Sequence, residues 1–196
     1  RRVLFRSCCH AVHGAAMVYA GDDWDRIRAV NVEGTRRVLD AARRAGVSRA
    51  MHISSVAVYG GSSEPITEDT PLDHPLHPLD LYARSKREAE LAAREAFGAA
   101  CGRLVIVRPA AVYGERDRLM APALARFLKL PFVPVFGGGT NSIPAVYAGN
   151  VAHALLTLLA TDDARGVYDV GWDGPLSQRT LMTGLAEGME IGRAHV

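Results

Sequence analysis

The chain has 196 residues, 48% of them hydrophobic and 22% charged, and a formal net charge of +2. That balance belongs to a globular domain with a real core; it excludes a disordered segment, and no apolar run reaches the roughly 18 residues of a membrane span. Three cysteines, Cys8, Cys9 and Cys101, are too few for a disulfide framework, which favours a reduced, cytoplasmic setting.

Arg1-Arg2-Val3-Leu4-Phe5-Arg6-Ser7 and Glu190-Ile191-Gly192-Arg193-Ala194-His195-Val196 can be encoded by one short DNA and its complementary strand. Residues 1–7 and 190–196 are therefore expected to be artefactual tags, and the stretch between them an internal piece of a longer protein. Taking Arg1, Arg2, Arg6 and Arg193 from the 23 basic residues leaves 19, and taking Glu190 from the 21 acidic ones leaves 20, so the net charge becomes −1. The basic character then gives no argument for a nucleic-acid partner.

His10 to Ala16 reads as a short buried strand running into the small residues Gly14, Ala15 and Ala16, where a ligand can approach the backbone. Cys8, Cys9, His10 and His13 do not make a metal site, because alternate strand residues face opposite sides and no second cluster completes the set. From Asp22 the spacing turns helical. Asp22 or Asp23 caps, Ile27, Val30, Val38, Leu39 and Ala42 form the apolar series, and Gly46 ends it. Asn31 and Gly34 lower helix propensity inside this stretch, which points to close packing and a polar contact there.

Arg49 to Ser54 is the next strand, ending on Ser54-Ser55, and ligands of a parallel sheet bind at the carboxyl ends of its strands. Gly60 to Pro78, with four prolines, reads as a long exposed loop. Leu81 to Ala99 is a second helix with Leu91 on its apolar side. Tyr82 and Lys86 lie four apart on it and so share a face, where the ammonium is expected to favour the phenolate and lower the Tyr82 pKa, fitting the pair for proton exchange with a substrate hydroxyl.

Arg103 to Val107 is a third strand, closed by Arg108-Pro109. Beyond Gly114 the spacing predicts a helix over Leu119 to Leu130 interrupted at Pro122, a flexible loop through Gly137-Gly138-Gly139, a helix over Val151 to Ala160, a strand over Gly166 to Val170 and a helix over Ser177 to Glu187. The triple glycine precedes no Gly-Lys-Ser/Thr and is not a phosphate cradle. Strand and helix alternation implies an α/β fold with a parallel sheet.

In order, Gly14-Ala15-Ala16, Asn31-Val32-Glu33-Gly34-Thr35, Ser54-Ser55 through Tyr59-Gly60, Tyr82-x-x-x-Lys86 and Arg108-Pro109 through Tyr113-Gly114 resemble the extended short-chain dehydrogenase/reductases, the NAD(P)-dependent epimerase/dehydratase family. The resemblance implies a Rossmann-like doubly wound parallel sheet lacking its N-terminal strands, with a partial small substrate-binding region. Residues 8–114 would be the C-terminal part of the NAD(P)-binding domain, and 115–189 a mixed substrate-binding region with remaining Rossmann elements. By the same resemblance Tyr82 is the catalytic acid/base, Lys86 holds the nicotinamide ribose and Ser55 orients the substrate oxygen. Ala15, Ala16, Asn31, Ser54, Pro109 and Val112 lie along the cofactor, NAD or NADP. Lys86 and Lys129 are the two lysines of an arginine-rich chain, and a lysine at 86 suits a task for a compact ammonium.

The implied activity is hydride transfer at an alcohol or ketone carbon by an epimerase or dehydrogenase, with a nucleotide sugar or a hydroxysteroid-like alcohol as substrate. Val56 and Ala57 stand where dehydratases of the family carry an Asp-Glu pair, which disfavours dehydration. The glycine-rich turn that seats a pyrophosphate is expected upstream of Cys8. Other readings are a non-catalytic cofactor-binding sensor or scaffold, and a fragment inactive in isolation. No nucleic-acid or membrane partner is expected, and a homodimer through the helices around Val30 and Lys86 is.

Overall fold

The computed structural model describes residues 8–19, 21–61, 65–97, 103–118, 120–129, 136–171 and 176–188. Both expected tags, Cys101 and the helix ends placed at Ala99, Leu119 and Leu130 lie outside the described residues. In chain order the first elements are β1 (His10–His13), α1 (Trp24–Arg28), a π-helical turn (Ala29–Glu33), α2 (Gly34–Arg44), β2 (Arg49–Ile53), a 3-10 turn (Val56–Tyr59) and α3 (Leu81–Phe97). They are followed by β3 (Arg103–Pro109), β4 (Ala111–Tyr113), α4 (Met120–Leu128), a 3-10 turn (Phe136–Gly139), β5 (Ala145–Tyr147), α5 (Ala148–Ala160), β6 (Gly166–Val170) and α6 (Gln178–Gly188). The chain divides into two compact units, Arg1–Pro109 with Leu155–Val170, and Ala110–Ala154 with Gly171–Val196.

The first unit holds a parallel sheet in the order β1-β2-β3-β6, with His10 opposite Arg49, Arg49 opposite Arg103 and Val105 opposite Gly166. Alternate residues of β2 go to opposite faces, as the strand period requires. Ala50 packs with Ala11 against Leu39 and Ala42 of α2 and Ala93 and Phe97 of α3, while Met51 packs with Val105 and Val107 against Leu155, Leu158 and Leu159 of α5. Both faces being covered explains why β2 and β3 are buried over most of their length, whereas the edge strand β1 alternates and leaves Val12 48% exposed. Arg49 is buried at the start of β2 because its guanidinium caps the end of α5, donating to the carbonyls of Leu158 (2.8 Å), Leu159 (2.7 Å) and Asp162 (2.8 Å).

The helices follow local signals, with two corrections. Asp23 caps α1 by accepting from the Arg26 amide at 2.9 Å, and Gly46, at φ 76°, lets the chain turn out of α2. Between them the π-helical turn inserts an extra residue per turn and breaks the three-and-four spacing. Asn31, Val32 and Thr35 are thereby turned inward, and Val30, expected in the apolar series, is left 39% exposed. Leu91 is likewise not on the packed side of α3: it is 58% exposed, and the buried face is made of Ala83, Ser85, Lys86, Ala89, Glu90, Ala92, Ala93 and Phe97. Leu91 falls between these positions in the helical repeat and so points away from the packed face.

In the second unit β4 and β5 pair in parallel, Ala111 opposite Ala145. Asp117 accepts from the Met120 amide at 3.0 Å and starts α4, so Pro122 falls in the first turn. No intrahelical N–H partner is needed there, and the helix is not interrupted as the sequence suggested. The triple glycine, expected as a flexible loop, closes into the 3-10 turn, with Gly138 and Gly139 at φ 70° and 75° and the Gly138 carbonyl accepting from Arg179 at 3.1 Å.

Candidate active site

β2 ends with the buried Ser54, whose amide donates to the Val107 carbonyl at 2.7 Å, one step beyond the last paired residue. Ser55 follows in extended backbone and caps the 3-10 turn, its Oγ accepting from the Ala57 amide at 3.2 Å. Gly60, at φ 74°, takes the chain away, and a Cβ there would meet Leu76 at 3.3 Å. α3 then starts under an Asp80 cap, Oδ1 accepting from the Ala83 amide at 2.9 Å, which places Tyr82 in its first turn and Lys86 one turn on.

The structure brings Ser55, Tyr82 and Lys86 together. Burial raises the Tyr82 pKa, a hydrogen bond from Ser55 favours the phenolate and pulls it down, and the Asp80 charge raises it again; the net effect is upward. Lys86 is 3% exposed; its Nζ donates to the Ile53 carbonyl at 2.8 Å and stands 5.9 Å from the Tyr82 ring centroid. This corrects the expectation that Lys86 lowers the Tyr82 pKa: the cation is tied to the end of β2 and stands off the ring, and the pull on the phenol comes from Ser55. Burial instead lowers the Lys86 pKa to about 8, against the opposing charge of Glu90. Among the described residues no carboxylate reaches Lys86 at ion-pair distance.

Around these three lies a buried polar layer. Asn31, 1% exposed, donates from Nδ2 to the Met17 carbonyl (2.8 Å) and to Ser85 Oγ (2.8 Å), and its Oδ1 accepts from the Met17 amide (2.7 Å). Both amide hydrogens are thus committed to protein, and Asn31 acts by fixing the loop that follows Ala15 and Ala16. Thr35 donates to the Asn31 carbonyl at 2.6 Å, leaving its oxygen to accept from His13 Nε2 at 3.1 Å. His13 stacks on His52 with centroids 5.6 Å apart. Burial first, then Lys86, then His13 lower the His52 pKa to about 3. Among the described residues neither His52 ring nitrogen nor Ser54 Oγ has a hydrogen-bond partner.

Sequence reading missed the second layer. Arg108 donates to both oxygens of Glu90, at 2.8 and 2.7 Å, with both side chains at most 3% exposed. Arg108 also donates to the Tyr59 hydroxyl, which donates on to Asp169 Oδ2 at 2.7 Å. Glu90 stands four residues after Lys86, so the same spacing that singled out Tyr82 and Lys86 extends one turn to it. Pro109 ends β3 in the first unit, whereas Val112 lies on β4 of the second and is 41% exposed. Among the described residues no three His, Cys, Asp or Glu side chains gather as metal ligands would, and no helix is long and apolar enough to cross a membrane.

The parallel sheet with helices on both faces is a Rossmann-like α/β fold. The sequence model of the NAD dependent epimerase/dehydratase family matches residues 3–171, and the chain belongs to that family. It is 37% identical over 124 residues to the N-acetyl-alpha-D-glucosaminyl-diphospho-ditrans,octacis-undecaprenol 4-epimerase of Escherichia coli O157:H7, covering 62% of this chain and 36% of the relative. It is 35% identical over 130 residues to the 3beta-hydroxysteroid-dehydrogenase/decarboxylase isoform 1 of Arabidopsis thaliana, covering 64% and 29%. Among solved structures it resembles a double mutant of the dTDP-glucose 4,6-dehydratase DesIV of Streptomyces venezuelae, which has NAD bound. The TM-score is 0.75 at 27% identity, covering 96% of this chain and 59% of that one. The chain thus spans less than two thirds of the length of each of these relatives.

Proposed function

We propose that the protein carrying this chain is an NAD(P)-dependent epimerase or dehydrogenase acting at an alcohol or ketone carbon, with Tyr82 as the acid/base. The observation that supports this most is that the buried Lys86 ammonium, 5.9 Å from the Tyr82 ring centroid, is tied to Ile53 at the strand end that Ser55 follows. On this reading residues 8–114 are part of the cofactor domain and 115–189 a mixed region, with substrate-binding parts and the remaining Rossmann elements, Leu155–Val170 among them.

The residues present fit a nicotinamide cofactor. Lys86 spends one of its three N–H donors on Ile53, so two remain for the vicinal hydroxyls of a ribose, and the orphaned Ser54 hydroxyl lies at the same strand end. Gly14, Ala15 and Ala16 leave the backbone after β1 open to close approach, and Asn31 holds that loop in place. Pro109 ends the neighbouring strand. When bound, the nicotinamide supplies the hydride acceptor or donor. Ser55 holds the substrate oxygen, and Tyr82 takes the hydroxyl proton or returns it. A phenol with a raised pKa is a proton donor at rest, and a positively charged nicotinamide beside it would bring the phenolate within reach.

The substrate is a hydroxyl-bearing small molecule, a nucleotide sugar or a hydroxysteroid-like alcohol, the two kinds of compound that the relatives' names carry. Val56 and Ala57 offer no proton-moving group beside Ser55, which favours epimerisation or oxidation over dehydration. A homodimer in a cytoplasmic setting belongs to the same reading, and sedimentation of the whole protein tests the first. The function itself is tested by turnover on a panel of both substrate kinds with NAD and with NADP. Tyr82→Phe is expected to lower turnover about 10²–10⁴-fold with cofactor affinity little changed. Turnover equal to wild type in that variant removes Tyr82 from the chemistry.

A further inference from the structure

Arg87, the residue after Lys86, makes three hydrogen bonds that the site as described leaves unused. Its Nε and Nη2 both donate to the Val58 carbonyl, at 3.0 and 2.6 Å, and its Nη1 donates to the His74 carbonyl at 3.0 Å. Val58 lies in the turn that Ser55 caps, and its carbonyl is one of the helix-end acceptors such a turn leaves without an internal partner. His74 lies in the long loop that follows. The guanidinium is therefore a cross-brace from α3 to the turn on one arm and to the loop on the other.

The bracing has a consequence for the site. α3 carries Tyr82 and Lys86, whereas Ser55 is carried by the strand end and its turn. The far end of the turn is pinned separately, where the Tyr59 hydroxyl joins Arg108 and Asp169. Its near end is held by the Ser54 amide on Val107. Among the described residues Arg87 ties the middle of the turn to the helix that bears the phenol, while Lys86 ties that helix to Ile53 ahead of the turn and Glu90 reaches Tyr59 through Arg108. A planar fork with donors on two edges can serve two carbonyls at once in fixed geometry; a lysine ammonium cannot hold the same plane.

Resting on the proposed function, we propose that Arg87 is a positioning residue that sets the Ser55 hydroxyl against the Tyr82 phenol. It acts through Ser55 and touches neither substrate nor cofactor. The charged groups facing Tyr82 are Asp80 at its own helix start and Lys86 one turn on; those facing Arg87 are Asp73 in the loop and Glu90 on α3. None of these changes in an Arg87→Lys variant, which keeps the positive charge and loses the fork.

The test is the titration of the Tyr82 phenol, followed by ¹³C NMR of ring-labelled tyrosine with Tyr82→Phe as the assignment, in wild type, Arg87→Lys, Ser55→Ala and the double variant. Loss of the Ser55 bond should move the titration up in Ser55→Ala. Arg87→Lys should move it in the same direction, and the double variant no further than Ser55→Ala alone. Turnover in Arg87→Lys should fall about tenfold in kcat with the cofactor Kd unchanged. An unshifted Tyr82 in a folded Arg87→Lys protein overturns the assignment. So does a shift that adds in full to that of Ser55→Ala, or a variant that does not fold, which would make Arg87 a residue of the fold. The titration needs no turnover, so full activity in Tyr82→Phe would overturn the enzyme reading separately.

Discussion

Lys86 is a buried cation held by one backbone carbonyl, and replacing it should make the protein more stable while disabling its site. Its pKa falls from 10.5 to about 8 on burial. A difference of about 2.5 units corresponds to about 3 kcal/mol of unfavourable burial when the group is charged. Below pH 8 lysine is protonated in both folded and unfolded states, so the full cost is present at pH 7. Between pH 8 and pH 10.5 the unfolded chain binds the proton and the folded one does not, so stability should rise with pH across that window. Lys86→Met keeps the stem and removes the charge, but strips the Ile53 carbonyl of its 2.8 Å donor, a loss of about 1–2 kcal/mol. The variant should therefore be about 1–2 kcal/mol more stable at pH 7, with the gain shrinking as pH climbs to 10. Urea unfolding of both proteins at matched pH values measures it, and taking the difference cancels the tyrosines that both share. A Lys86→Met protein less stable at pH 7, or a difference flat from pH 7 to 10, refutes the reasoning.

Acid should act on His52 in a related way. Its imidazole, with a folded pKa of about 3, takes up a proton in the unfolded chain first, so stability should fall as pH drops from 6.5 towards 3. His52→Leu should flatten that part of the profile by up to about 5 kcal/mol, and an unchanged acid limb would mean that the imidazole is not held neutral. Glu90→Gln leaves the Arg108 charge buried without its partner and should cost about 3–5 kcal/mol in urea unfolding. A loss under about 1 kcal/mol would place the pair in contact with solvent.

Much of the fold was legible because its signals are local. Gly166 to Val170 is a strand with the expected bounds, and the small residues after β1, the glycine after α2 and the serines after β2 all punctuate the chain where they should. Val30 and Leu91 were misread for different physical reasons. The π-helical turn shifts the helical phase after Ile27, and nothing in a hydrophobic series announces an inserted residue. Along α3 the packed face is built mostly of alanines and of charges satisfied by remote partners, so Leu91, the obvious apolar marker in mid-helix, is an exposed one. At the site, four-residue spacing gave the shared face of Tyr82 and Lys86. It could not give the direction of the Lys86 ammonium, because Ile53, which receives it, lies 33 positions away in sequence. Arg87 and Arg108 were illegible for the same reason: their roles depend on carbonyls and carboxylates supplied by other elements.

The most direct measurement is a single turnover of the whole protein, with NAD bound and a substrate deuterated at the carbinol carbon, read as the appearance of reduced nicotinamide. Wild type should show reduction slowed by the deuterium, and Tyr82→Phe, with NAD bound as tightly, should show almost none. Reduction at equal rates in the two proteins would contradict the assignment of the proton transfer to Tyr82.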